Sequence, residues 1–161
     1  MKVVEVMTKE PAYCGPETNL AAAIEILWNR DCGVLPIVDS QGKVVGLVTD
    51  RDVCIALGTR NRMPSDMTVR EVSTGRVVAC KADDDLRTAL ATMAREQVHR
   101  LVVLDDAGRL QGILSIADVV LRAQAGNFGS QSILSFEEIV STLKSVCALQ
   151  PPRAAQKSAA A

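Results

Sequence analysis

Thr49 and Asp52, and again Ser115 and Asp118, stand three residues apart at the end of an apolar run. The stretch "GLVTDRDV" covers residues 46–53 and "GILSIADV" covers residues 112–119. A hydroxyl followed three positions later by a carboxylate has two uses. As a capping box, the pair satisfies free N–H groups at the start of a helix. As a grip on a ligand, an ionised carboxylate accepts from both hydroxyls of a ribose, and the free N–H groups of a helix start seat a phosphate. Spacing by itself favours the cap, and the two uses are compatible. Elsewhere, His99 and Arg100 form the most suggestive basic pair, and Arg51 directly precedes Asp52.

These residues suit holding a ligand better than turning one over. The chain has one histidine, no serine in a nucleophile-elbow context and no glycine-rich phosphate loop, so no enzyme is expected. The acidic run Asp83-Asp84-Asp85 reads as a helix cap rather than a metal site. Five cysteines (Cys14, Cys32, Cys54, Cys80, Cys147) are an odd number without C-x-x-C spacing. They read as small buried hydrophobes in a reducing cytoplasm, with neither zinc nor disulfides. A net charge of −1 and four aromatic residues (Tyr13, Trp28, Phe128, Phe136) argue against nucleic-acid binding, which needs a basic face or stacking rings. No run approaches the roughly 18 to 20 apolar residues of a membrane span. The start, "MKVVEVMTKEP", lacks the apolar run of a signal peptide, so a cytoplasmic location is expected.

The motif occurs twice because the chain is duplicated. A gapless shift of 66 residues aligns residues 1–58 with 67–124 at 14 identities, where unrelated sequences of ordinary composition would give about three or four. Each unit reads as β-α-β-β-α. A short lead ("PAYC", "VVAC") precedes N-cap candidates at Thr18/Asn19 and Asp84/Asp85. Leu20, Ala23, Ile24, Leu27 and Trp28 follow at helical spacing, as do Leu86, Ala89, Leu90, Met93 and Ala94. Trp28 and its apolar neighbours read as core or dimer interface. The strands "VLPIV" and "VVGLVT" join through "DSQG", and "LVVL" and "LQGIL" through "DDAG", both with hairpin chemistry. A second helix turns Val53, Ala56 and Leu57 inward in one unit, and Val119, Val120 and Ala123 in the other.

The expected organisation is one unit over residues 1–58, a linker over 59–66 and a second unit over 67–124. Residues 125–149 make a connector ("AGNFGSQS") and a helix with Phe136, Ile139, Val140, Leu143 and Cys147 on one stripe, capped by Ser135 and Glu138. The tail at 150–161 is expected to be disordered. Neither unit can bury both faces of so small a sheet alone. Packing the two about a pseudo-twofold axis solves this and leaves two related clefts beside the strand-to-helix turns.

Two such units, each ending in G-h-x-h-[ST]-x-x-D, resemble a tandem pair of CBS domains, a Bateman module, over roughly residues 1–124. "GVLPIVD" and "HRLVVLD" are similar to the family's element before the hairpin, and "QVHRLVVLD" resembles the gamma subunits of AMP-activated protein kinase. The resemblance implies a stand-alone regulatory module binding adenosyl ligands: AMP, ADP, ATP or S-adenosylmethionine. It assigns the ribose to Asp52 and Asp118, and ribose or phosphate to Thr49 and Ser115. Adenine would meet Ala12 or Val78, together with Val34, Leu35 and Pro36, or Leu101 and Val102. His99 and Arg100 would neutralise phosphate. Their counterparts in the first unit are Gly33 and Val34, so one competent phosphate cleft is expected, built on Asp52 and Arg51 with His99 and Arg100 reaching across the axis. Homodimerisation and signalling to an unknown protein partner complete this reading. The alternative is a ligand-free dimerisation or scaffold protein whose aspartates are only caps.

Overall fold

The computed structural model describes residues 1–122 and 134–148. The expected connector at 125–132, the tail at 150–161 and Ala123 lie outside the described residues.

Two matching halves are present. In the first, helix α1 (Leu20–Asn29) leads to strands β2 (Val34–Val38) and β3 (Val44–Thr49) and helix α2 (Asp50–Thr59). In the second, β4 (Ala79–Cys80) precedes α4 (Leu86–Glu96), β5 (Arg100–Leu104), β6 (Leu110–Ser115) and α5 (Ile116–Arg122). Both expected caps form: the Asn19 side chain accepts from the Ala22 N–H, and Asp85 from the Arg87 N–H. Both hairpins also form as their residues dictate. Asp39 and Asp105 each accept from two backbone N–H groups of the turn, and Gly42 and Gly108 take φ of 79° and 78°, a region that favours glycine.

The pseudo-twofold axis can be located from backbone pairings. Lys43 bridges Arg109, its own counterpart 66 residues on, so the hairpins meet at the axis. Lys2 bridges Asp85 while Thr68 bridges Asn19, and these two pairs are likewise related by the shift.

The latter pairs show that the lead segments are exchanged. Val3 lies in a short 3-10 turn (Val3–Glu5) and Val69 in the one-turn helix α3 (Val69–Val72), two elements the sequence reading did not anticipate. The Val3 N–H donates to the Asp84 carbonyl and that of Leu86 to Met1, while the Leu20 N–H donates to Met67 and that of Val69 to Thr18. Val3 and Val6 therefore join the core around Leu86, Met93, Leu101 and Leu114, and Met67 and Val69 join the one around Leu20, Leu35, Ile37 and Val48. Each core contains the other unit's lead.

A further exchange breaks the symmetry. Strand β1 (Thr8–Lys9) adds to β6 opposite Ile113 and Gly112, completing a four-stranded sheet in the order β1-β6-β5-β4. Glycine at 112 is required, because a Cβ there would sit 2.7 Å from the Thr8 carbonyl oxygen. In the first half, β2 and β3 pair alone, with the lead reduced to a parallel bridge between Cys14 and Ile37.

Several apolar residues face differently from the sequence reading. Trp28 is 84% exposed, and Leu57 and Val120 are also exposed, so they are not core residues of this chain. Helix α6 (Phe136–Val146) has the expected Ser135–Glu138 capping box, but it buries Ile139, Thr142 and Val146, leaving Phe136, Val140 and Cys147 exposed. The buried stripe is turned because α6 lies on α4, where Arg87 Nε also meets Glu138 Oε1 at 2.7 Å. All five thiols are free. Burial pushes Cys14 up to about 11, and burial, with the Asp84 charge adding to it, does the same for Cys80, as befits small apolar fillers. Among the described residues, no helix is long and apolar enough to cross a membrane.

Candidate ligand-binding site

At the end of β3, Thr49 turns the chain into α2. Asp52 Oδ2 accepts from the Thr49 N–H at 3.0 Å and from its Oγ1 at 2.6 Å, and the Asp52 N–H returns a bond to Oγ1. At the end of β6 the geometry repeats: Asp118 Oδ2 accepts from the Ser115 N–H at 2.8 Å and from Oγ at 2.6 Å. Both motifs are therefore capping boxes. Only one carboxylate oxygen is used in each, and Oδ1 has no partner among the described residues, so the cap leaves a charged acceptor free beside each turn.

The cleft beside Asp118 is a cavity of about 340 Å³ formed between the halves, within the range of small-molecule sites, whose volumes start at about 300 Å³. Ser115, Asp118, Ile113 and Arg100 come from the second half, and Thr8, Glu10, Pro11, Ala12, Arg30, Asp31, Cys32, Gly33 and Val34 from the first. Exchange of the lead segment brings this about, because β1 on β6 carries residues 10–12 to the wall opposite Asp118. The cavity combines an apolar wall (Ala12, Val34, Ile113), the Asp118 carboxylate beside a helix start, the Glu10 and Asp31 carboxylates, and two guanidinium groups. Arg30 and Arg100 have no hydrogen-bonding or ion-pair partner among the described residues, whereas Arg62, Arg70, Arg76, Arg87, Arg95 and Arg109 are all paired with carboxylates. The two guanidinium groups are donors available to a phosphate, beside the Glu10, Asp31 and Asp118 carboxylates that line the same cavity.

Sequence reasoning grouped Arg51, Asp52, His99 and Arg100. The structure places Arg100 in the lining of the Asp118 cavity, with Nη2 3.6 Å from where a Gly33 Cβ would stand. His99 and Arg51 are exposed and do not line that cavity. Leu35 and Leu101 are fully buried in the two cores, since alternate strand residues point to opposite faces, so only their backbone is left for a ligand. Pro36 and Val102 are buried on the other face of their strands, and Val78 is half-buried against the second core. Arg30 was missed. Its signal was available in the alignment: position 30 is arginine where position 96 is glutamate.

The family model for the CBS domain matches residues 3–59 and again residues 69–124. The chain belongs to the CBS-domain family. Within that family it is 33% identical, over 107 residues and 63% of its length, to the gamma-3 subunit of 5'-AMP-activated protein kinase of Homo sapiens. It spans 22% of that subunit, and 23% of the inosine-5'-monophosphate dehydrogenase of Methanocaldococcus jannaschii, to which it is 33% identical over 123 residues. A solved CBS domain pair in complex with 5'-methylthioadenosine and S-adenosyl-L-methionine superposes with a TM-score of 0.68 at 26% identity, over 75% of this chain and 94% of that one. CBSX2 in complex with AMP does so at 0.65 and 26% identity, over 74% and 93%. The duplicated mixed α/β architecture is thus that of a tandem CBS pair.

Proposed function

We propose that this CBS pair is a regulatory, non-catalytic module that binds an adenosine nucleotide in the Asp118 cleft and passes its occupancy to a protein partner in the cytoplasm. The observation that carries this reading is the joint presence, in one cavity, of a free Asp118 oxygen and the unpaired Arg30 and Arg100 guanidinium groups. Asp118 holds the ribose, Ala12 and Val34 flank the adenine, and Arg30 and Arg100 take phosphate. The solved relatives holding AMP, or methylthioadenosine and S-adenosylmethionine, support an adenosyl ligand. Arg30 and Arg100 are the donors that a nucleotide's phosphate would use. Because residues 10–12 of the cleft wall are carried by a strand lent to the other half, a bound nucleotide would tie the two halves together, which is a means of signalling.

Calorimetric titration with AMP and with adenosine tests the assignment. Replacing Arg30 and Arg100 with alanine should weaken AMP by roughly ten- to a hundredfold or more, since hydrogen bonds to charged groups contribute about 1.5–3 kcal/mol each. Adenosine should change little. Equal losses for both ligands would remove the two arginines from the phosphate role.

The module is further proposed to form a homodimer. Trp28 at 84% exposure, with Ile55 and Leu57, leaves an apolar face on α1 and α2, while the matching face of α4 is covered by α6. Light scattering should give twice the chain mass at micromolar concentration, falling to a single mass for Trp28→Glu; a monomeric native protein would refute this. A second reading, a ligand-free scaffold, draws on both aspartates serving as helix caps. It predicts no thermal shift with AMP, ADP, ATP or S-adenosylmethionine at millimolar concentration.

A further inference from the structure

Glu10 occupies a backbone position that glycine would fill with less strain. Its φ is 50°, in the left-handed region that side chains rarely adopt. In the corresponding stretch of the second half, the left-handed position falls on Gly75, with φ of 66°. The Glu10 side chain has no hydrogen-bonding or ion-pair partner among the described residues, and neither has that of Arg30. Their counterparts 66 residues on, Arg76 and Glu96, carry the charges in reverse and pair with each other at 2.7 Å. Glu10 and Arg30 are equally complementary in charge, yet they do not pair.

Both side chains line a cavity of about 630 Å³. It shares Glu10, Pro11, Ala12 and Arg30 with the Asp118 cleft but includes neither Asp118 nor Arg100. The second half contributes Arg109 and Leu110, which the meeting of the hairpins at the axis places there. Pro11, Ile26, Val38 and Leu110 give the cavity apolar surface, and Tyr13, 59% exposed, adds an aromatic ring. Arg109 donates from Nε to Asp105 Oδ2 at 2.7 Å, and its Nη groups have no partner among the described residues. A simple anion in this cavity would meet Glu10, and a simple cation would meet Arg30. A ligand carrying both charges satisfies both residues, each by a charge-assisted hydrogen bond.

We infer that this cavity is a second binding site, for a zwitterion with an apolar body: an α-amino acid of the aromatic or large aliphatic kind. Its ammonium meets Glu10, its carboxylate meets Arg30, and its side chain lies against the apolar surface and Tyr13. The contact with the ammonium is what the strained glutamate supplies and a glycine could not. The inference stands apart from the nucleotide reading, because the site uses neither Asp118 nor Arg100.

Titration calorimetry of the nucleotide-free protein with L-phenylalanine, L-leucine and L-tryptophan tests this. At least one should bind with a Kd of about 1 mM or tighter. The analogues of that amino acid lacking the amino group or the carboxylate should each bind at least about tenfold more weakly, since each loses a hydrogen bond to a charged group. Glu10→Gly should weaken the amino acid at least about tenfold while raising Tm by about 2–4 °C, because it relieves the backbone. Glu10→Gln keeps the strain and removes the charge, and it should weaken binding in the same way. Absence of binding by all three amino acids, analogues as tight as the parent, or unchanged binding in both Glu10 variants would each overturn the inference. A native protein that binds AMP but none of the three amino acids would overturn this inference alone and leave the nucleotide reading intact.

Discussion

Asp118→Asn should abolish most nucleotide binding while leaving the fold in place. Asp118 uses Oδ2 for the cap, where it accepts from the Ser115 N–H and hydroxyl. Asparagine keeps one acceptor oxygen for those bonds, so the cap should lose at most about 1 kcal/mol. What the substitution removes is the second, charged oxygen facing the cleft. An amide N–H₂ there donates and cannot accept from a ribose hydroxyl. Charge-assisted hydrogen bonds of about 1.5–3 kcal/mol each are lost, and AMP affinity should fall roughly ten- to a hundredfold or more. Asp52→Asn should leave AMP binding near normal. The sequence reading expected the reverse order, because Arg51 adjoins Asp52; the structure leaves Arg51 exposed and gathers Arg30 and Arg100 beside Asp118. Calorimetry with AMP and thermal melting of the free proteins check both halves of the prediction. Unchanged AMP binding in Asp118→Asn would reduce the turn to a cap.

Met67→Ala should be among the more destabilising single substitutions in the chain. Met67 belongs by sequence to the second repeat but is fully buried in the core of the first, beside Leu20 and Leu35. Truncating a buried methionine removes transfer free energy and leaves a cavity, costing about 2–5 kcal/mol. At roughly 2–4 °C per kcal/mol for a chain of this size, Tm should drop by about 4–20 °C. Met63→Ala, four residues earlier and 66% exposed, is the control and should stay within about 0.5 kcal/mol. If Met67→Ala melted like the control, the lead segments would not be exchanged as described.

Much of this protein is local in origin and therefore legible. The 66-residue repeat, Asn19 and Asp85 as caps, the Asp–Gly hairpins and the hydroxyl–carboxylate turns each depend on residues a few positions apart. Short-range hydrogen bonding determines such elements, and side-chain type reports it directly. The family resemblance rests on the same local motifs, which is why it survives at low identity.

Long-range placement was not legible, because a repeat does not say which copy packs on which. Equivalent leads could have covered their own helices or each other's, with the same hydrophobic pattern in either case. Only the tertiary structure shows Met67 and Val69 under α1, and Val3 and Val6 under α4. That choice builds the site: β1 pairs with β6 through the space left by Gly112 and carries residues 10–12 across to face Asp118. The same holds for charge. Composition counts Arg30, Arg76 and Arg100 alike, but whether a guanidinium is free for a ligand depends on the carboxylates within about 4 Å of it, and chain folding decides which those are.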